Sequence, residues 1–130
     1  MDPSQSAPVA LAERRLAWLD ARQRVLAQNI AHADTPGYQP RDLPDFARMV
    51  AQRAGPAVGL ARTDQHHLAA ARDPRARVDR QAMETTPNGN AVSLDREAMK
   101  VADTDSAHAL AIGLHGRWLG LFRTALGRAQ

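Results

Sequence analysis

The chain has no cysteine, and Lys100 is the one lysine among its 17 cationic side chains. Without cysteine there is no disulfide framework, no thiolate metal site and no thiol nucleophile. Aromatic residues are scarce as well: two Trp, one Tyr and two Phe, or 4% of 130 residues. That is thin for a single domain of this size, which buries a modest core only when its elements fold back on each other. Long hydrophobic runs are missing too. The most apolar stretch, Ala109 to Phe122, is interrupted by His115 and Arg117 and is too short to span a bilayer. Met1 to Pro8 carries Asp2, no basic region and no apolar core behind it, so no cleavable signal peptide is expected. The motifs of a nucleophile elbow, a zinc protease helix and a phosphate loop are all absent from the sequence. The chain is therefore read as not an enzyme, with no cofactor and no metal.

What is present is helix-forming sequence at both ends. Residues 1–8 read as a disordered lead, and 9–33 as a long amphipathic helix. Ala12, Leu16, Leu19, Gln23, Leu26, Ile30 and Ala33 alternate spacings of four and three, the pattern of a coiled-coil seam. Leu11, Trp18 and Val25 add a second row beside it. That stripe is too wide for a two-stranded coil and calls for a further partner. The helix should end near Ala33 or Asp34, because Pro36 biases Thr35 away from helical geometry. Pro36 and Gly37 fit the central positions of a type II turn, and Tyr38 just beyond can fold back on the helix end.

Residues 34–93 form an irregular middle. Asp42-Leu43-Pro44-Asp45 can start a short helix with Phe46, Met49 and Val50 facing inward, stopped by Ala54-Gly55-Pro56. A short hairpin is also possible, with Asn88-Gly89 as its strongest turn signal. The C-terminal helix is placed at 94–127, with Ser93 as N-cap and Asp95 and Glu97 suited to the positive end of the helix dipole. Its seam reads Leu94, Ala98, Val101, Asp105, His108, Ile112, His115, Leu119, Phe122 and Leu126. Past His108 the opposite face turns apolar as well, through Leu110, Leu114, Trp118 and Leu121, so other subunits are expected to cover it. Gly113, Gly116 and Gly120 each cost up to about 1 kcal/mol against alanine in a helix interior. They fit a crossing where a neighbouring backbone comes close. The expected fold is mainly α, one domain, with the two long terminal helices packed as an antiparallel coiled-coil-like hairpin.

If the helices pack antiparallel, the stop near Ala33 lies beside the start near Leu94, and this sets a register. With equal rise on both helices, the numbers of facing residues total about 128. Ile30 then lies near Ala98, Leu26 near Ala102 and Leu16 near Ile112. The two polar interruptions of the seams, Gln23 and Asp105, also meet. Such a pair, if buried, costs stability and fixes register.

Two other constellations stand out in the sequence. His66-His67 has no helical partner spacing or carboxylate pair, and His108 and His115 stand roughly 10 Å apart along one helical row, too far to share an ion unaided. The run Arg72, Arg75, Arg77 and Arg80, with a pI near 10.5, admits an alternative reading as a small basic nucleic-acid-binding helical protein. Asp73 and Asp79 interrupt that run, and no aromatic residue is interleaved for base stacking.

The string from Asn29 to Tyr38 resembles the signature that closes the N-terminal helix in the flagellar axial family of rod, hook and hook-associated proteins. Asn29, Ala31, Thr35, Pro36, Gly37 and Tyr38 carry the likeness. His32 stands where that family usually has asparagine. Pro87 to Glu97 and Thr63 to Leu68 are similar to segments of the short proximal-rod members, and His108 appears where their C-terminal helix usually has tyrosine. The resemblance implies a structural subunit of the flagellar basal-body rod, at its proximal part, polymerising through its terminal helices to transmit torque. It implies as partners copies of the chain, other rod proteins including the adapter subunit at the base, and the flagellar type III export apparatus. Export would occur without a cleaved signal, into the periplasm-spanning rod, with no membrane insertion and no nucleic acid. The assembly interface is expected on Leu11, Leu16, Trp18, Leu19, Leu26 and Ile30 of the first helix. On the second it is expected on Val101, Ile112, Gly116, Trp118, Leu119, Gly120, Phe122 and Leu126.

Overall fold

The computed structural model describes residues 7–54, 75–81 and 85–127. The elements run α1 (Ala7–Ala31), β1 (Arg41–Asp42), α2 (Phe46–Ala54), β2 (Arg77–Val78) and α3 (Leu94–Gly127). The fold is mainly helical, and α1 and α3 pack along each other as the two arms of a hairpin. Their direction and register follow from side-chain pairs. Gln23 donates to Asp105 at 3.2 Å, and Asp20 and His108 approach to 3.2 Å. Both pairs lie on the register expected for antiparallel helices. The Gln23–Asp105 bond differs from expectation in its setting: Asp105 is exposed, while Gln23 is half-buried and its Oε1 is buried without a partner among the described residues. It therefore marks the register at a cost carried on one side only, by the unpaired Gln23 oxygen, while the carboxylate keeps its contact with solvent.

α1 begins at Ala7 and ends at Ala31, two residues earlier at each end than the pattern predicts. The early stop has a local cause. The Ala33 amide bonds Ile30 and the Thr35 amide bonds His32, each three residues back, so the last turn tightens and leaves the helix. The Tyr38 amide bonds the Thr35 carbonyl, and Gly37 sits at φ 71°, as the type II turn requires.

The middle of the chain lies over one side of the hairpin. Trp18, Leu19, Leu43, Phe46 and Ala111 form the core, joined by half-buried Leu16, Val25, Met49 and Val50. Each large side chain buried there contributes about 1.5–3 kcal/mol. α2 starts at Phe46, after Pro44, with the Met49 amide bonded to the Asp45 carbonyl. The Trp18 indole N–H donates to the Pro44 carbonyl at 3.0 Å, fixing the approach to α2. Arg15 and Arg22 lie over the Trp18 ring, at 5.0 and 5.4 Å from its centre. β1 and β2 form a two-stranded antiparallel ladder, Arg41 opposite Val78 and Asp42 opposite Arg77.

That ladder is not closed by Asn88-Gly89. The turn forms there nonetheless: the Gly89 amide bonds Thr86, the Thr86 amide bonds Asn90, and Gly89 has φ 81°. This is a type I turn followed by a left-handed glycine, with Pro87 at its first central position. Its tip rests on the other turn, for the Gly37 amide donates to the Asn88 carbonyl at 3.1 Å.

The face of α3 turned toward α1 differs from the expected seam. Its buried residues are Glu97, Thr104 and Ala111, one heptad row, whereas Leu94, Ile112 and Leu126 are 53–64% exposed. Small and polar side chains allow the backbones to approach and leave the apolar row aside.

Candidate assembly surfaces

At the closed end of the hairpin the signature residues make a polar knot. Asn29 is fully buried. Its amide donates to the Arg41 carbonyl at 2.7 Å and to Glu97 Oε2 at 2.8 Å. Its carbonyl accepts from the Arg41 amide at 2.9 Å and from the Tyr38 hydroxyl at 3.3 Å. A primary amide offers two donors and two acceptor sites, so all are used and burial leaves nothing unpaired. Tyr38 also stacks on His32, ring centres 4.6 Å apart, so the residue that departs from the signature supports the turn by packing.

Asn90, 2% exposed, does the corresponding task from the other side. Its amide donates to the His32 and Thr35 carbonyls at 2.9 and 2.6 Å, adding a second bond to each of two carbonyls that already accept within the turn where α1 ends. Its own carbonyl accepts from the Val92 amide at 2.8 Å, setting the entry to α3. Asn29 is visible in the sequence through its motif, whereas Asn90 carries no local signal of its role. An asparagine beside a glycine turn reads as a turn residue, and only the fold shows that it reaches the distant helix end.

The knot continues as a chain of charges. Glu97 is 2% exposed and accepts from Asn29 and from Lys100 Nζ at 2.9 Å. It is thus turned into the hairpin instead of serving the helix dipole. Lys100 also binds Asp79 at 2.7 Å, and Arg22 grips Asp42 through two bonds of 3.0 and 2.9 Å. Burial alone would raise the Asp79 carboxyl. Hydrogen bonds from Lys100 and the Gln81 amide outweigh it and hold the group below the ordinary carboxylate range. Burial would likewise lower Lys100, yet its bonds to Asp79 and Glu97 raise it. Arg22 is raised mainly by its hydrogen bond to Asp42, against the opposing effect of burial. These contacts tie α1, β1, the β2 segment and α3 together.

The open end is built differently. An apolar groove of about 440 Å³ runs between Val9, Leu11, Phe46, Leu114, His115 and Trp118. Beyond it α3 carries Leu110, Leu121 and Leu126, each 64–66% exposed. Trp118 and Phe122 meet edge to face at 5.8 Å. Among the described residues nothing approaches Gly113, Gly116 or Gly120 within 4 Å of where a side chain would begin, which leaves room there for a neighbouring backbone.

The residues expected at the interface therefore divide. Trp18, Leu19 and Leu26 are buried within the chain, and Leu16 packs on its core. Leu11, Ile30, Ile112, Gly116, Trp118, Gly120 and Leu126 remain exposed, and Val101, Leu119 and Phe122 are half-buried. Of the histidines, His108 faces Asp20 and His115 lines the groove; His66 and His67 lie outside the described residues. Among the described residues no group of His, Asp and Glu could hold a metal, and no helix is long and apolar enough to cross a membrane.

A helical hairpin closed by a polar knot at one end, with apolar side chains exposed at the other among the described residues, has the architecture of a structural subunit that packs against neighbours. Comparison with known proteins agrees with that class. The chain is 38% identical over 107 residues to the flagellar basal body rod protein FlgB of Salmonella typhimurium, covering 75% of this chain and 77% of that one. It is 39% identical over 110 residues to FlgB of Escherichia coli, covering 77% and 79%. To FlgB of Agrobacterium fabrum it is 45% identical over 58 residues, 45% of this chain and 42% of the relative. No protein-family model matches the chain. The chain belongs to the FlgB family of flagellar basal body rod proteins.

Proposed function

We propose that this chain is a structural subunit of the proximal part of the flagellar basal-body rod, joining copies of itself and other rod proteins through its terminal helices. In this reading the adapter subunit at the rod base is one neighbour, and the flagellar type III apparatus exports the chain. Its work is mechanical: interlocked helices stiffen a shaft that transmits torque. The observation that carries the reading, beyond kinship, is the uncovered apolar surface of α3, where Leu110, Leu114, Leu121 and Leu126 are 55–66% exposed. Apolar area of that extent on a small chain calls for a partner. Deleting the gene from its host should abolish swimming and leave basal bodies without a complete rod in electron micrographs. Supplying the chain in trans should restore both. A deletion strain that swims normally would refute the proposal.

A further inference from the structure

On the side of the hairpin covered by the middle region lies a polar groove of about 840 Å³. Arg48 of α2, Arg77 and Arg80 at β2, and Arg96 of α3 line it, above the paired Arg22–Asp42 and Lys100–Asp79. In all, six cations and three carboxylates line this groove, the third carboxylate being Asp103, so it carries as much net charge as the entire chain, +3. The remainder of the molecule balances to zero. Val78 and Met99, 48% and 62% exposed, put apolar surface on the same walls.

The opposite side has the complementary character. Successive helical residues are about 100° apart, so Asp20 lies roughly 200° round α1 from Arg22, and Asp105 roughly 200° round α3 from Asp103. Glu13, Asp20 and Asp105 are exposed there against the exposed cations Arg24 and Arg123, which leaves that side acidic by one charge beside the +3 groove, and Ile30, Leu94 and Ile112 are 40–55% exposed. We infer that the arginine groove is a docking surface for the carboxylate-bearing edge of a second copy of this chain, Glu13 and Asp20 entering among Arg77 and Arg80. The inference rests on the rod reading and names a contact within it. Because the two surfaces lie on opposite sides, the contact is heterologous: each copy keeps a free groove and a free edge, and growth is open-ended.

Sedimentation of the purified chain at low and high salt tests this. At low salt the mean mass should rise with concentration without stopping at a dimer, and high salt should reverse it. Arg77→Glu with Arg80→Glu, both at exposed positions, should weaken association at least about tenfold while circular dichroism stays unchanged. Glu13→Arg with Asp20→Arg should do the same. Mixing the two variants should restore association, since an acidic groove then meets a basic edge. A native chain that remains monomeric or closes as a dimer would overturn the inference. So would a reversed groove that associates as well as native, a mixture that fails to recover, or tighter binding to a DNA duplex than to its own copies. A groove-reversed chain that restores swimming sinks only this contact, whereas the rod reading falls on the deletion strain alone.

Discussion

The two ends of the hairpin are stabilised by opposite chemistry. At the closed end buried groups are polar and their bonds are complete: Asn29, Asn90 and Glu97 are 0–2% exposed, and all three hold partners from distant segments. At the open end the side chains are apolar and uncovered, with Leu121 66% exposed. A satisfied polar network specifies one geometry but adds little net stability, while uncovered apolar surface favours association and specifies little by itself. The closed end can hold the helices in register before assembly. The open end gains its energy only when a neighbour arrives.

If that contrast is real, the largest loss of fold stability should come from the knot. Asn29→Ala strips partners from a buried carboxylate and from both backbone groups of Arg41. A cost of about 3–5 kcal/mol is expected, because three groups each lose a hydrogen bond at about 1–3 kcal/mol while Lys100 still pairs with Glu97. Urea unfolding followed by circular dichroism measures it. A loss below about 1 kcal/mol would show that water replaces the amide easily and that the closed end is not the rigid one.

Next in size is the turn. Gly37→Val places a β-branched residue at φ 71°, which costs about 1–3 kcal/mol although nothing fills the space around it. Asn88→Ala should cost less, since Asn88 has a φ that ordinary residues adopt and lies on the exposed turn. In cells the valine variant should be exported yet fail to support swimming. An equal effect of the two substitutions would place the strain elsewhere.

The charge chain gives a smaller effect with a defined sign. Asp79 is depressed in the fold, so its stabilisation is present above the unfolded carboxylate value of about 3.9 and is lost as pH falls through the folded value. Lys100 is raised, so its share is present below about 10.4 and is lost as pH rises through its folded value. Urea midpoints should therefore stay level across neutral pH and decline at both extremes. Asp79→Asn should flatten the acid decline. An unchanged acid limb in that variant would show that Asp79 does not hold the β2 segment to α3.

How much of this was legible beforehand follows the same division. The turn at Pro36-Gly37 is readable because local chemistry dictates it, and the hairpin register is readable because the stop of α1 near Ala33 lies beside the start of α3 near Leu94 and both helices rise equally. Gln23 and Asp105 do meet. The buried row of α3 was not readable. Glu97, Thr104 and Ala111 look like a solvated face, and only Asn29 and Lys100, supplied by the fold, make Glu97 tolerable inside. The ladder of Arg41–Asp42 with Arg77–Val78 was equally hidden, since two-residue strands far apart in sequence carry no periodic signal. Long-range polar pairing has no local signature; apolar periodicity and turn chemistry do.

The smallest expected effect on stability is the one that most directly separates the ends. Leu114→Ser lies in the open groove, where the side chain is already 55% exposed. Exposed substitutions of this kind usually change stability within about 0.5 kcal/mol, so the melting curve of the isolated chain should scarcely move. Amide exchange should show the same asymmetry, faster in the last turns of α3 than around Glu97, because few contacts hold the open end closed. Yet the serine removes apolar area that a neighbouring subunit would bury, so incorporation into rods, scored by motility and by electron microscopy of basal bodies, should drop. A variant that is stable and still assembles would mean that Leu114 stays solvated in the rod. One that loses stability as heavily as the Asn29 variant would mean that the open end is already part of the core, and the contrast between the two ends would dissolve.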